Sequence, residues 1–175
     1  MRDREALGRF FDRYFDQVFG LALRLLGDRT AAEDVTQEVF FKVHRAAHTI
    51  DPARDPGPWL ATIAANACRD VWRSGAYRLA RRSASLDDDP QLADTLGTRA
   101  DDPERGAIVR ERERAVQDAI LALPEPLRLS VMLHDYQGLS HQEIADLLGV
   151  EHAAARKRYS RALRALARRL KGALA

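Results

Sequence analysis

The chain has 175 residues and 46% of them are hydrophobic, enough to build a core, so global disorder is excluded. Its single cysteine, Cys68, rules out an internal disulfide and a cysteine-based zinc site and fits a reducing cytosol. Net charge is only +2, yet the signs are segregated. Residues 151–175 carry eight Lys/Arg against one acid, and residues 84–104 carry seven acids against one Arg. Such segregation fits a polyanion partner at one end, and a solvated helix face explains a charge run equally well. No run approaches 18 uncharged apolar residues and residues 1–11 contain no apolar signal segment, so the expectation is a cytoplasmic chain without membrane insertion.

In chain order, residues 5–26 carry apolar side chains at i, i+3, i+4 and i+7 and predict an amphipathic helix closed by Gly27. Thr30-Ala31-Ala32-Glu33 reads as a capping box opening a second helix to about Ala47. Three prolines and a glycine make residues 49–58 a loop. A third helix is expected from Trp59 to about Arg73, continuing toward Arg82. Residues 83–101 have no apolar period and read as an acidic flexible linker. Asp102 and Pro103 restart order, with a helix to about Leu123, another over 127–137 ended by Gly138, and a capping box at Ser140 and Glu143 that opens a helix to Leu148. Gly149 turns the chain into a last helix from about His152 to Leu170. The fold class is all-α, with two small helical domains at 1–82 and 102–175 joined by the 83–101 linker.

The last two helices, joined by a glycine turn, have a helix-turn-helix layout. On the final helix, Ala155, Tyr159, Ala162, Leu163, Leu166 and Leu170 form one stripe, and Lys157, Arg161, Arg164, Arg168 and Lys171 lie opposite. In such a motif the N-terminal residues of the second helix reach base edges, which selects His152, Arg156 and Lys157, with Arg156 as the first candidate for guanine. Arg158, Arg161 and Arg164 suit phosphates. A basic surface helix without a groove partner is the alternative.

The second helix has a core stripe of Val35, Val39, Phe40, Val43 and Ala47. Opposite it lie Asp34, Gln37, Glu38, Phe41 and Arg45. A phenylalanine among acids on a solvent face is a protein-docking anchor, unless the linker or another helix covers it. The third helix mixes Trp59, Trp72 and nearby Tyr77 with Arg69, Arg73, Arg78, Arg81 and Arg82, a combination that suits single-stranded nucleic acid. Both tryptophans fit a core equally, and for Trp59 the core is favoured. His44 and His48 have a chelating spacing but no third ligand beyond Asp51, and Cys68 sits among apolar positions, so no metal, cofactor or enzymatic activity is expected.

These features, in this order, resemble the extracytoplasmic-function (ECF) branch of bacterial RNA polymerase sigma factors. Leu26-Gly27-Asp28-Arg29 with the run from Ala32 to Phe40 is similar to that family's region 2 signature. Trp59-Leu60-Ala61-Thr62-Ile63-Ala64-Ala65-Asn66 with Asp70 resembles the end of that region, and the run from Leu139 to Val150 resembles the region 4 helix-turn-helix. The resemblance implies core RNA polymerase as partner, through its β′ clamp helices and β flap, with Asp34, Gln37, Glu38 and Phe41 on the clamp helices. It implies that loop 49–58, with Asp51 and Arg54, and the helix bearing Asn66, Arg69 and Arg73 read a melted minus-10 element and hold a flipped base. The last helix would read a duplex minus-35 element, the acidic linker would enter the polymerase cleft, and an anti-sigma factor would be a further partner. Two departures stand out: Ala65 occupies a position where the family has arginine, and Ala153-Ala154-Ala155-Arg156 replaces a Gly-Thr-Val-Lys-like start of the recognition helix. A helix-turn-helix regulator acting without polymerase, and a sigma mimic that sequesters an anti-sigma protein, are the competing readings.

Overall fold

The computed structural model describes residues 4–47, 54–74 and 103–173. All regular structure among them is helical: α1 (Arg4–Leu26), α2 (Arg29–Ala46), α3 (Gly57–Arg73), α4 (Pro103–Leu121), α5 (Glu125–Val131), a π-helical turn (Met132–Tyr136), α6 (His141–Leu148) and α7 (His152–Ala173). The all-α expectation holds, as two helical sub-bundles, α1–α3 and α4–α7. The linker at 83–101, the continuation toward Arg82 and the cap at Asp102 lie outside the described residues.

Three helix starts differ from the sequence reading. The cap of α2 is Asp28, whose carboxylate accepts the Ala31 N–H at 2.7 Å. A carboxylate there also complements the positive end of the helix dipole. Glu33, expected to reach back to Thr30, instead binds Arg29 at 3.0 Å. Helix α3 begins at Gly57, before Trp59, and α5 begins at Glu125, before residue 127. Pro58 and Pro126 each fall in a first turn, where a missing N–H costs nothing. The helix predicted over 127–137 is α5 followed by the wider π turn.

Helix α1 lies against α2 and α3 and buries Val18, Leu21, Leu25, Val35, Val39, Val43, Leu60 and Ala64 between them. That core does not stop at the sub-bundle boundary. Ile120, Leu129, Met132, Leu133, Ile144 and Leu148 belong to the same buried cluster, while Leu123, Val131 and Ala162 form a small satellite. Gly27 shows how close the approach is. It has φ +67°, a left-handed turn that strains other residues, and a Cβ there would stand 2.7 Å from a Leu121 methyl, which would have to shift.

Polar groups lock the junction. Arg128 is 3% exposed; it donates to the carbonyls of Leu25 (2.5 Å), Leu121 (2.5 Å) and Leu123 (3.0 Å). Those oxygens lie at the C-terminal ends of α1 and α4, where the helix dipole is negative and carbonyls lack helical partners. The Arg128 guanidinium also lies 5.5 Å from the Trp72 ring. Nearer the surface, Arg24 donates to the Tyr136 hydroxyl (2.9 Å), and Gln17 donates to Gln137 (2.8 Å).

Candidate protein- and nucleic-acid-binding surfaces

The α6–α7 pair is built by local chemistry. The Ser140 hydroxyl accepts the Glu143 N–H (3.2 Å), and the Glu143 carboxylate accepts the Ser140 N–H (2.8 Å), completing the expected capping box. Gly149 ends α6 in the left-handed region at φ +63°. Helix α7 buries Ala155 and Ala162 and half-buries Tyr159, Leu166 and Leu170. Leu163, expected in that stripe, is 41% exposed. Tyr159, Ala162, Ala165 and Leu166 join Leu127 and Val131 of α5 in one apolar cluster, and Leu163, about 100° round the helix from Ala162, stays outside it. The Tyr159 hydroxyl donates to Asp135 of the π turn at 2.8 Å, fixing α7 on the preceding element, and this bond holds the phenol's pKa above its usual value.

Of the cations assigned to DNA, His152, Arg156, Lys157, Arg161 and Arg164 are exposed, and Arg158 is half-buried. Arg164 folds back along its own helix toward the Ser160 carbonyl (3.2 Å).

On α2, Asp34, Gln37, Glu38 and Phe41 are all exposed. Phe41 is 61% exposed, and no described helix covers it. Its ring lies 5.9 Å from the Arg45 guanidinium, and Glu38 pairs with Lys42 at 2.6 Å. The opposite face buries Val35, Val39 and Val43, with Phe40 half-buried.

On α3, Asn66 is exposed and accepts from half-buried Arg69 at 3.3 Å, while exposed Arg73 lies 3.8 Å from Asp70. Arg54 is exposed at the start of the described segment before α3; Asp51, Tyr77, Arg78, Arg81 and Arg82 fall outside the described residues. Trp72 is 3% exposed beneath Arg128, which in this packed arrangement gives it the core role of the two readings. Trp59 packs half-buried against the core. An open cleft of about 240 Å³ lies where Arg69 and Arg73 of α3 meet Glu125 and Arg158. Cations assigned separately to melted and duplex DNA thus line one cavity.

Cys68 is buried, and desolvation pushes its thiol far above the usual range, which makes it a packing residue. His44 is exposed and His48 lies outside the described residues; among the described residues no group of three His, Cys, Asp or Glu could hold a metal. The sequence reading missed Arg128 and the histidines around the π turn. An arginine between Leu127 and Leu129 was the only local sign of the first.

Comparison with known proteins gives a consistent picture. The Sigma-70 region 2 family matches residues 10–78, and the Sigma-70 region 4 family matches residues 113–166. The chain is 31% identical over 96% of its length to the ECF RNA polymerase sigma factor BldN of Streptomyces coelicolor, of which it spans 61%. It is 30% identical over 91% of its length to the ECF RNA polymerase sigma-E factor of Haemophilus influenzae, of which it spans 85%. Among solved structures it is similar to CnrH in complex with the cytosolic domain of CnrY, with a TM-score of 0.63, 26% identity, and coverage of 98% of this chain and 91% of that one. The expectation of a simply cytoplasmic chain is corrected here. That complex pairs CnrH with the cytosolic domain of a second protein, CnrY, and assigns no compartment to this chain. Of this chain itself, the described residues establish that no helix is long and apolar enough to cross a membrane.

Proposed function

The chain belongs to the ECF sigma factors of bacterial RNA polymerase, and from that membership we propose that it binds core polymerase and directs it to promoters, which it helps to open. One observation carries the reading: a single chain presents a bare aromatic anchor among acids on α2 and a row of exposed cations on α7. An ordinary helix-turn-helix regulator leaves the α2 face and the match over residues 10–78 unexplained. A mimic that only sequesters an anti-sigma protein leaves the cationic helix unexplained.

In this reading Asp34, Gln37, Glu38 and Phe41 dock on the β′ clamp helices, and residues 102–175 also meet the β flap. Arg54, Asn66, Arg69 and Arg73, with Asp51, engage the minus-10 element as it melts. His152, Arg156 and Lys157 approach minus-35 bases, and Arg158, Arg161 and Arg164 its phosphates. The functional division is 1–82, 83–101 and 102–175. An anti-sigma protein is a further partner in this reading, in keeping with the similar protein CnrH, whose structure is of a complex with a domain of a second protein, CnrY.

The cleft adds a geometric requirement. Two elements about 25 base pairs apart are separated by about 85 Å at 3.4 Å per pair. Arg69, Arg73 and Arg158 around one small cavity cannot meet both at once. The two sub-bundles therefore separate when the promoter is engaged, and the packed arrangement is the unengaged one.

The test is run-off transcription with purified core polymerase on a genomic promoter library, with and without this protein. New discrete start sites that vanish with Phe41→Ala are expected. No new starts, together with specific duplex binding in the absence of polymerase, would replace this reading with the regulator.

A further inference from the structure

Three imidazoles gather where the π turn, α6 and the start of α7 meet. His134 stacks on His141 with ring centroids 4.4 Å apart, and His152 stands 6.5 Å from His141. The Tyr159 ring meets His134 at 4.6 Å and His141 at 5.1 Å. The Leu139 carbonyl can only accept, so His134 donates to it through Nδ1 at 2.7 Å. His141 is different. It is half-buried, and its Nδ1 is buried without a hydrogen-bond partner.

The charged and titratable groups facing His141 are His134 and Asp135 from the π turn and His152, Arg156 and Tyr159 from α7. Glu143, on its own helix, is engaged by Ser140. Asp135 is the one carboxylate among the facing groups, and it already accepts the Tyr159 hydroxyl. The balance is a surplus of latent positive charge. Burial first, then His134, His152 and Arg156, hold the His141 pKa below the ordinary histidine value, against the opposite pull of Asp135. An imidazole kept neutral in this way gains its proton when an anion arrives beside it.

The partner proposed for α7 supplies that anion. His152 and Arg156, the residues that press on His141, are those assigned to minus-35 bases. We propose that His141 is a further DNA contact of the minus-35 surface, meeting a backbone phosphate beside those bases and taking up a proton as it binds. This rests on the sigma-factor reading above. The sign follows from linkage. DNA raises the His141 pKa, so affinity increases as pH falls from the bound value toward the free one, and levels off below it.

The test uses the full-length chain and a random-sequence 20-base-pair duplex at low salt, because a phosphate contact is sequence-independent. Fluorescence anisotropy from about pH 8 to about pH 5.5 gives the gain in affinity. We expect His141→Gln to lose about threefold of that gain, within the ceiling of about tenfold per pH unit for one linked proton. His44→Gln, on the exposed face of α2, keeps the wild-type slope. NMR of the wild-type protein needs no variant, and its His141 ring resonance should titrate at higher pH with duplex than without. An unchanged slope in His141→Gln, or a His141 titration unmoved by duplex, overturns the proposal. Binding that weakens as pH falls overturns it too, because protonation would then be breaking the helix-turn-helix packing. No duplex binding at any pH would remove the minus-35 assignment itself, and this contact with it.

Discussion

The two sub-bundles are held by different physics. The first is walled by Leu21, Leu23, Leu25, Leu26 and Leu60, each essentially removed from solvent, so its stability lies in apolar volume. The second also buries Leu129, Leu133 and Ile144, but its last helix enters the packing with Ala155 and Ala162 buried, Tyr159, Leu166 and Leu170 half-buried, and Leu163 left outside. Directional bonds do the positioning there: Tyr159 to Asp135, Ser140 to Glu143, and Arg128 to three carbonyls. Volume makes a rigid platform, which suits a face that docks on a large enzyme. Of these bonds, Arg128 to the Leu25 carbonyl crosses between the sub-bundles, and under the proposed separation it is the one to be exchanged.

The largest test of this contrast is Leu25→Ala. The side chain is fully buried, and large-to-small changes in such sites cost about 2–5 kcal/mol. Chemical denaturation should show about 3 kcal/mol lost; a loss below about 1 kcal/mol would mean that the first sub-bundle does not depend on its packing. Next is Arg128→Leu. It keeps apolar bulk but strips donors from the carbonyls of Leu25, Leu121 and Leu123, at about 2 kcal/mol. Hydrogen exchange should rise at the ends of α1 and α4 while the centres of α2 and α3 stay protected. Equal acceleration throughout would mean that Arg128 supports a single undivided core.

Much of the first sub-bundle and of the α7 surface was legible in the sequence, because both are periodic. A 3.6-residue pattern fixes which face of α2 is bare and which side of α7 is cationic without knowledge of any neighbour. The capping box at Ser140 was legible for the same reason, since its partners are three residues apart. The junction was not. Arg128 meets Leu25 across 103 residues, and Gly27 is a seat for Leu121 as well as a helix stop. From the sequence Trp72 fitted a core and a nucleic-acid platform equally, because its cover, Arg128, lies far along the chain. The cap of α2 was read at Thr30 from the spacing to Glu33, whereas Asp28, which ranks above threonine as an N-cap, holds that place.

The third test separates binding from folding. Phe41 is bare, so Phe41→Ala should leave stability within about 0.5 kcal/mol of wild type. Its affinity for core polymerase should fall by about 2 kcal/mol, roughly 30-fold, if the ring is an anchor. Glu38→Lys should act in the same direction through charge. If both variants bind core polymerase as tightly as wild type, the docking assignment on α2 is wrong.

The smallest effect probes the directional bonds of the second sub-bundle through pH. Ser140→Ala removes the cap of α6 and should cost about 1 kcal/mol near neutrality. Its pH dependence follows from Glu143, whose pKa is held below the usual carboxylate value, first by the Ser140 hydroxyl and then by the Ser140 N–H. A carboxyl with a lowered folded-state pKa contributes stability that is present above its unfolded pKa and is lost as pH falls through the folded one. The difference between wild type and Ser140→Ala should therefore be full at pH 7 and narrow as pH drops below the ordinary glutamate pKa of about 4.3. Glu143 is solvent-accessible, so screening keeps the change small, and denaturation at low salt is the condition that reveals it. A gap that stays constant down to acid pH would assign the cap to the hydroxyl alone and remove the carboxylate from the set of bonds that hold the helix-turn-helix.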